Sequence, residues 1–237
     1  MAHYSIISCH VLWRELCHWA SQSPHLYYFH FLKQGLHNTP DILRKELQLA
    51  IDENKDDSEA LLLGYGLCSN GLAGITARDK PLVIMRGHDC ITFFLGSKEK
   101  YLEYFNQHPG TYWYTPGWIE TGYVPSQPSL ANKAHDYEAE YGKENADYLM
   151  EMEINSLKNY SRAAYIDTGI MDATHYLQYT VEAASHFGWH FDKLPSDTTL
   201  MKDFLNGNWD EKRFLIVPPG ETIQPAYDLS ILKSQLP

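Results

Sequence analysis

Apolar residues follow two rhythms along the first hundred positions. Four short runs have β character: His3 to Cys9, Leu26 to Leu32, Ala60 to Gly64 and Pro81 to Met85. Between them the apolar residues recur at helical spacing. Leu12, Leu16 and Trp19 mark a helix over Val11 to Ser21. Leu43, Leu47 and Ile51 mark a second, opened by Thr39 as cap and Pro40 at the first helical position. Gly35 breaks the chain before it, and Glu53 to Asp57 form a solvated loop after it. Helical segments over Ile91 to Gly96 and Ser97 to Phe105 follow the fourth run. Buried-type strands alternating with amphipathic helices predict a mostly parallel sheet covered on both faces. Residues 1–107 are therefore expected to form a first α/β lobe of doubly wound type.

The texture then changes. Gly110 to Gly122 is dense in aromatics, punctuated by Gly and Pro, and without a period; it reads as an ordered crossover. Residues from about Ser129 to Tyr160 are helical in character, so 108–160 is taken as crossover plus long helical insert. Ala163 to Asp167, Trp189 to Leu194 and Phe214 to Val217 read as strands, with helices at Asp172 to Phe187 and Asp197 to Leu205 between them. Residues 161–237 are thus expected as a second α/β lobe, giving two Rossmann-like lobes. No internal repeat is visible.

Composition narrows the partners. Lys plus Arg number 19 against 30 Asp plus Glu, a net charge of -11, and a surface that acidic repels phosphate backbones. No apolar stretch is long enough to cross a bilayer, and no basic flank with a long apolar run opens the chain. The expectation is a cytoplasmic protein with neither nucleic-acid nor membrane partners. A reducing compartment leaves Cys9, Cys17, Cys68 and Cys90 free for packing, metal binding or catalysis. No cysteine follows Cys90. Cys17 falls inside the first helix and reads as packing.

The candidate chemistry comes from topology. In open α/β sheets ligands sit outside the carboxyl ends of the strands. Cys9 follows the first strand, His37 the second, Cys68 the third, and His88 and Cys90 the fourth. Thiolate and imidazole together suit zinc, with iron as second choice, and Cys9, Cys68, Cys90, His88 and His37 are the candidate ligands. The bland alternative is that the cysteines are small core residues. Gly64 and Gly66, in the turn Gly64 to Gly71, are candidate cofactor contacts, since glycines let backbone amides approach an anion. The same turn would place the Cys68 thiol near helix-start amides that lower its pKa, or serve only to reverse the chain. Asp89 is a candidate for orienting a ligand histidine and Arg86 for binding a substrate carboxylate; a capped helix start explains Asp89 equally. Tyr112, Trp113, Tyr114 and Trp118 could wall a pocket or fill a core. Tyr114 is carried as a catalytic candidate and Trp118 as a cofactor contact. Tyr165 and Asp167, ending the fifth strand, could complete the site, with helix capping as the alternative role of Asp167.

The blocks GYGLCSNG, PLVIMRGHDCITFFLGS and GTYWYTPGW, with LHNTPDIL upstream and YIDTG and FLIVPPG downstream, resemble a prokaryotic family known as domain of unknown function 1638. The likeness covers nearly the whole chain; Met85 stands where the family pattern has a proline. Members tend to be encoded near corrinoid-dependent methyltransferase systems, so the resemblance implies one-carbon metabolism, with a corrinoid protein or methyltransferase as partner. Two functions are then in play. One is a zinc-dependent enzyme of methyltransferase or hydrolytic type acting on a small-molecule substrate. The other is a non-catalytic carrier or sensor of a metal or corrinoid.

Overall fold

The computed structural model describes residues 1–236. In chain order the elements are β1 (His3–Cys9), α1 (Trp13–Ala20), β2 (Leu26–Leu32), α2 (Pro40–Glu53), β3 (Ala60–Gly64), β4 (Leu82–Met85), α3 (Ile91–Leu95) and α4 (Lys98–Gln107). Then come β5 (Thr111–Tyr114), α5 (Pro116–Thr121), α6 (Gln127–Tyr141), α7 (Lys143–Leu157), β6 (Arg162–Asp167), α8 (Thr174–Phe187) and β7 (His190–Pro195). The chain ends with α9 (Thr199–Leu205), β8 (Phe214–Val217), β9 (Thr222–Pro225) and β10 (Leu232–Gln235). No helix among the described residues is long and apolar enough to cross a membrane.

Two compact units result: Met1–Tyr101 with Ser196–Pro237, and Leu102–Pro195. In the first, the strands lie in the order β2-β1-β3-β4-β8. The first four are mutually parallel, and β8 runs antiparallel against β4 with Met85 opposite Phe214. The central strands β3 and β4 are buried at every position, as their unbroken apolar sequences require. Leu12 and Leu16 beside β1, and Leu43 and Leu47 of α2, are fully buried. Each such side chain contributes about 1.5–3 kcal/mol of burial free energy. Among the described residues strand β2 pairs only with β1, and it is largely exposed.

The second unit is a smaller version of the same idea. Its sheet β5-β6-β7 is parallel throughout. Tyr114, Tyr165, Leu157, Ala163, Ala184 and Trp189 form its core, with Tyr112, Trp118 and Tyr160 packed against them. The mostly parallel α/β class expected from the sequence is the class observed.

Two expectations about organisation are corrected. The aromatic stretch, expected as an ordered loop or crossover, holds regular elements: β5 and α5, the latter opened by Thr115, whose side chain accepts from the Trp118 N–H, and by Pro116. The second lobe does not run to the end of the chain. Residues 196–237 return to the first unit, where β8 completes the sheet and α9 packs against α1. The antiparallel ribbon β9–β10 is a further element that the sequence pattern does not announce; its Ile223 exchanges backbone hydrogen bonds with Gly74 and Ile75.

Candidate functional site at the carboxyl edge of the first sheet

Chain order and strand order together define the site. From β1 the chain moves outward to β2, then crosses to β3 on the other side of β1. That reversal makes the β1/β3 junction the topological switch point, where open α/β sheets form their ligand crevice. Register places Ser8 opposite Gly64, so the next residues along, Cys9 and Tyr65, leave the sheet side by side. Gly64 permits this approach, because a Cβ there would lie 2.2 Å from the Ser8 Oγ.

The turns after β3 and β4 are joined backbone to backbone. The Leu67 N–H donates to Gly87 O at 2.9 Å and the Cys68 N–H to His88 O at 2.8 Å. Gly66 is required here: a Cβ would sit 2.9 Å from backbone atoms of Asp89 and Gly87. Cys68, Ser69 and Asn70 then occupy the left-handed region in succession, at φ 46°, 56° and 68°. Such a conformation costs about 1–2 kcal/mol per residue for side chains other than glycine. Hydrogen bonds hold it: the Gly71 N–H donates to Cys68 O at 2.9 Å, and the Arg44 guanidinium to Asn70 O at 3.2 Å. The strained segment carries Cys68 into place beside the turn that bears Cys90.

Three thiols gather as a result. Cys9 is buried, while Cys68 and Cys90 are half-buried. Burial pushes the Cys9 thiol up to about 11, and the Val11 backbone N–H pulls it back only in part. Burial first, then Cys9 and Asp89, raises Cys68 to about 12. Burial, followed by Cys68, Cys9 and Asp89, raises Cys90 well above the ordinary value. Cys9 bears on Cys68, and both bear on Cys90, so the sulfurs lie in one desolvated region. At neutral pH all three are thiols.

Burial also shifts the titratable groups around them. The Asp89 carboxyl is pushed up by burial, against the hydrogen bonds it accepts from the Tyr101 hydroxyl at 3.1 Å and the Ile91 N–H at 3.0 Å. His37, half-buried in the short helical turn Leu36–Asn38, is pushed down by burial, and the nearby Asp89 opposes that shift. Tyr65 is 3% exposed and its hydroxyl has no hydrogen-bond partner among the described residues. Burial raises its pKa most, followed by the influence of Cys9, Cys68 and Cys90. Sequence reasoning misses Tyr65 and Tyr101. The only local signal for Tyr65 is a large phenol between two glycines at the end of an apolar strand.

Several candidates have other duties. Arg86 is spent on backbone: its guanidinium donates to Glu211 O at 2.9 Å, Phe214 O at 3.0 Å, Ser230 O at 2.8 Å and Leu232 O. Through Nε and Nη1 it pins β8 and the β9–β10 ribbon. Gly64 and Gly66 make room for protein side chain and backbone, Ser8 in one case and Gly87 and Asp89 in the other. The Cys68 thiol is raised, not lowered, because desolvation outweighs the one N–H that favours its anion. His88 is exposed on a bend, whereas Cys90 begins the helical turn of α3 with its sulfur inside; the two side chains do not run together as extended geometry would place them. Tyr114 is fully buried in the second unit and donates to Pro125 O at 2.7 Å. Trp118 packs against that same core. Asp167 accepts from the Gly169 N–H and pairs with Lys193 at 2.8 Å. None of these three is a free functional group.

No three His, Cys, Asp or Glu side chains are placed to hold a metal ion among the described residues. The soft donors converge on one region without forming a finished coordination sphere.

A family model described as "Protein of unknown function (DUF1638)" matches residues 31–205, most of the chain, including the turns after β3 and β4 but not Cys9 at the end of β1. Neither a curated protein nor a solved structure matches the chain.

Proposed function

The chain belongs to the DUF1638 family, and from that premise we propose that it is a metal-binding protein whose soft donors are Cys9, Cys68 and Cys90, and that it acts as a metal-dependent enzyme on a small molecule. One observation carries the reading. Three separate strands deliver a thiol each to the switch point of a parallel sheet, and each sulfur is within electrostatic reach of the others. Zinc suits such a donor set, with iron second. Because the donors are not preassembled, the ion draws the loops after β1, β3 and β4 together as it binds. His37 replaces His88 as the favoured fourth ligand, being half-buried while His88 is exposed. A zinc ion with an open position lowers the pKa of a bound water or thiol, which is the chemistry a methyl-transfer or hydrolytic step needs. The corrinoid-linked setting, with a corrinoid protein or methyltransferase as partner, rests on the family resemblance. A cytoplasmic, reducing setting accords with four unpaired cysteines.

The dispersed donors favour a second reading in one respect. A loosely gathered set suits capture and release of an ion, as in a non-catalytic carrier or sensor.

Elemental analysis of protein purified under reducing conditions without added metal tests the proposal. We expect a zinc or iron content near one per chain, largely lost in Cys68→Ser. Wild type and variant that are both metal-free and equally well folded would reduce the cysteines to packing residues.

A further inference from the structure

Edge strands expose a row of backbone donors and acceptors, and folded chains defend them with charge, proline, bulges or shortness. Three of the four edges of the two larger sheets follow that rule. β5 and β8 are four residues each, and β7 carries Asp192 and Lys193 and closes on Pro195. β2 has none of these defences. Its seven residues read LYYFHFL, and they keep unbroken register with β1, from Leu26 opposite His3 to Leu32 opposite Cys9. Alternate residues turn their N–H and C=O groups away from β1, where no strand among the described residues meets them. The side chains are open as well: Leu26 is 45% exposed, Tyr28 49% and Phe29 37%. On one face Tyr27, Phe29 and Phe31 follow one another with ring centroids 6.0 Å and 5.4 Å apart, the last two stacked within 14°.

We propose that β2 is a dimer interface, pairing antiparallel with β2 of a second copy of this chain and joining the two five-stranded sheets edge to edge. Charge selects that occupant. The chain carries -11 overall, so two copies repel wherever their acidic surfaces meet. Within the first forty residues only Arg14, Glu15 and Lys33 carry a formal charge, Glu15 is fully buried, and none of the three lies in β2. This segment is where two such chains approach without that penalty. Antiparallel edges are also self-complementary, because a two-fold axis brings each residue of one strand to its counterpart on the other. A register centred on Phe29 sets Phe29 of one copy against Phe29 of the other. It likewise sets Tyr28 against His30, Tyr27 against Phe31 and Leu26 against Leu32. Every pair is then aromatic or aliphatic, the kind that stabilises neighbouring strands. Each copy spends its one long undefended edge, so the assembly closes at two.

The test is sedimentation of the reduced full chain at about 1 to 100 μM, the range suited to an interface as small as one strand edge. Wild type is expected to move from the 27.3 kDa monomer toward twice that mass as concentration rises. In the double variant Tyr28→Lys, His30→Lys, lysines face lysines across the register, and affinity should fall by about ten-fold or more. The added positive charge brings the chain closer to neutrality, so a mere change of net charge would strengthen association instead. Ile216→Lys, at a position 44% exposed on β8, should leave the dimer unchanged. A wild type that stays monomeric throughout would overturn the proposal and leave the edge to an extended segment of a different protein. Undiminished affinity in the double variant, or growth of wild type beyond two copies, would overturn it as well. Should the double variant not fold, hydrogen exchange on wild type decides. The β2 amides should then be better protected at the high end of the concentration range than at the low end, and protection independent of concentration would refute the pairing.

Discussion

The two parallel sheets treat the polar groups at their carboxyl edges in opposite ways. At the ends of β5 and β6, Tyr114 is answered by Pro125 O, and Asp167 by Lys193 and the Gly169 N–H. At the ends of β1, β3 and β4, three thiols and the Tyr65 hydroxyl are gathered and desolvated, and the hydroxyl is left without a hydrogen bond. The architecture is shared, so architecture alone does not mark a site. Unanswered polar groups do, because the protein bears their desolvation cost with no internal return.

Arg86 offers the sharpest way to break that comparison, since it lies next to the unanswered groups but spends Nε and Nη1 on backbone carbonyls. Arg86→Met should cost roughly 3 kcal/mol or more in denaturant unfolding, because several backbone carbonyls lose a charged donor at once. If it instead removed a substrate interaction with no loss of stability, the division between the two edges would fail.

Gly66→Ala comes next. Its Cβ would press on the Asp89 and Gly87 backbones, which have no flexible end to swing aside. A loss of about 1–3 kcal/mol is expected, together with loss of zinc uptake as the turns bearing Cys68 and Cys90 separate. Retained uptake at full affinity would show that the zipped turns do not set the donor geometry.

A smaller effect should appear in alkali. Unfolded thiols ionise near their ordinary value of 9, whereas folded Cys9 and Cys68 hold their protons to about 11 and about 12. Above that ordinary value the unfolded state binds fewer protons than the folded one, so stability falls as pH rises. Urea midpoints of the reduced, metal-free protein should therefore decline from about pH 8 to about pH 10, and zinc should oppose the decline. No thiol lies in the second unit, where burial instead raises the Tyr112 phenol from 10.0 to about 12, so its contribution is lost only above about pH 10.

Asp167→Asn should do least. The Lys193 side chain of that ion pair is 50% exposed, and pairs of this kind contribute about 0–1 kcal/mol. Lys193 holds the Asp167 carboxyl below the usual range, so what stability the pair adds is present at neutral pH and lost as pH falls into the acid range. Zinc uptake should not change. A large effect on uptake would mean that the second sheet's edge is not merely structural.

Local order is readable from residues alone wherever one segment carries its own reason. The apolar runs of β3 and β4, the Thr39-Pro40 start of α2 and the spacing of Leu43, Leu47 and Ile51 all lie within a few positions of one another. The parallel class, and with it the delivery of Cys9, His37, Cys68 and Cys90 to one edge, follows from that alternation. What stays hidden depends on pairings far apart in sequence. Phe214–Val217 reads as a strand, but only tertiary structure decides that its partner is β4 and not a strand of the second unit. Arg86 reads as a free guanidinium until carbonyls more than a hundred residues away claim it. Desolvation is likewise a property of the whole neighbourhood: helix-start amides argue for a depressed Cys68, and burial by three separate loops reverses the sign. Sequence determines which chemical groups reach the edge. The fold determines which of them still lack a partner there, because satisfying a buried group takes an atom that chain order does not place beside it.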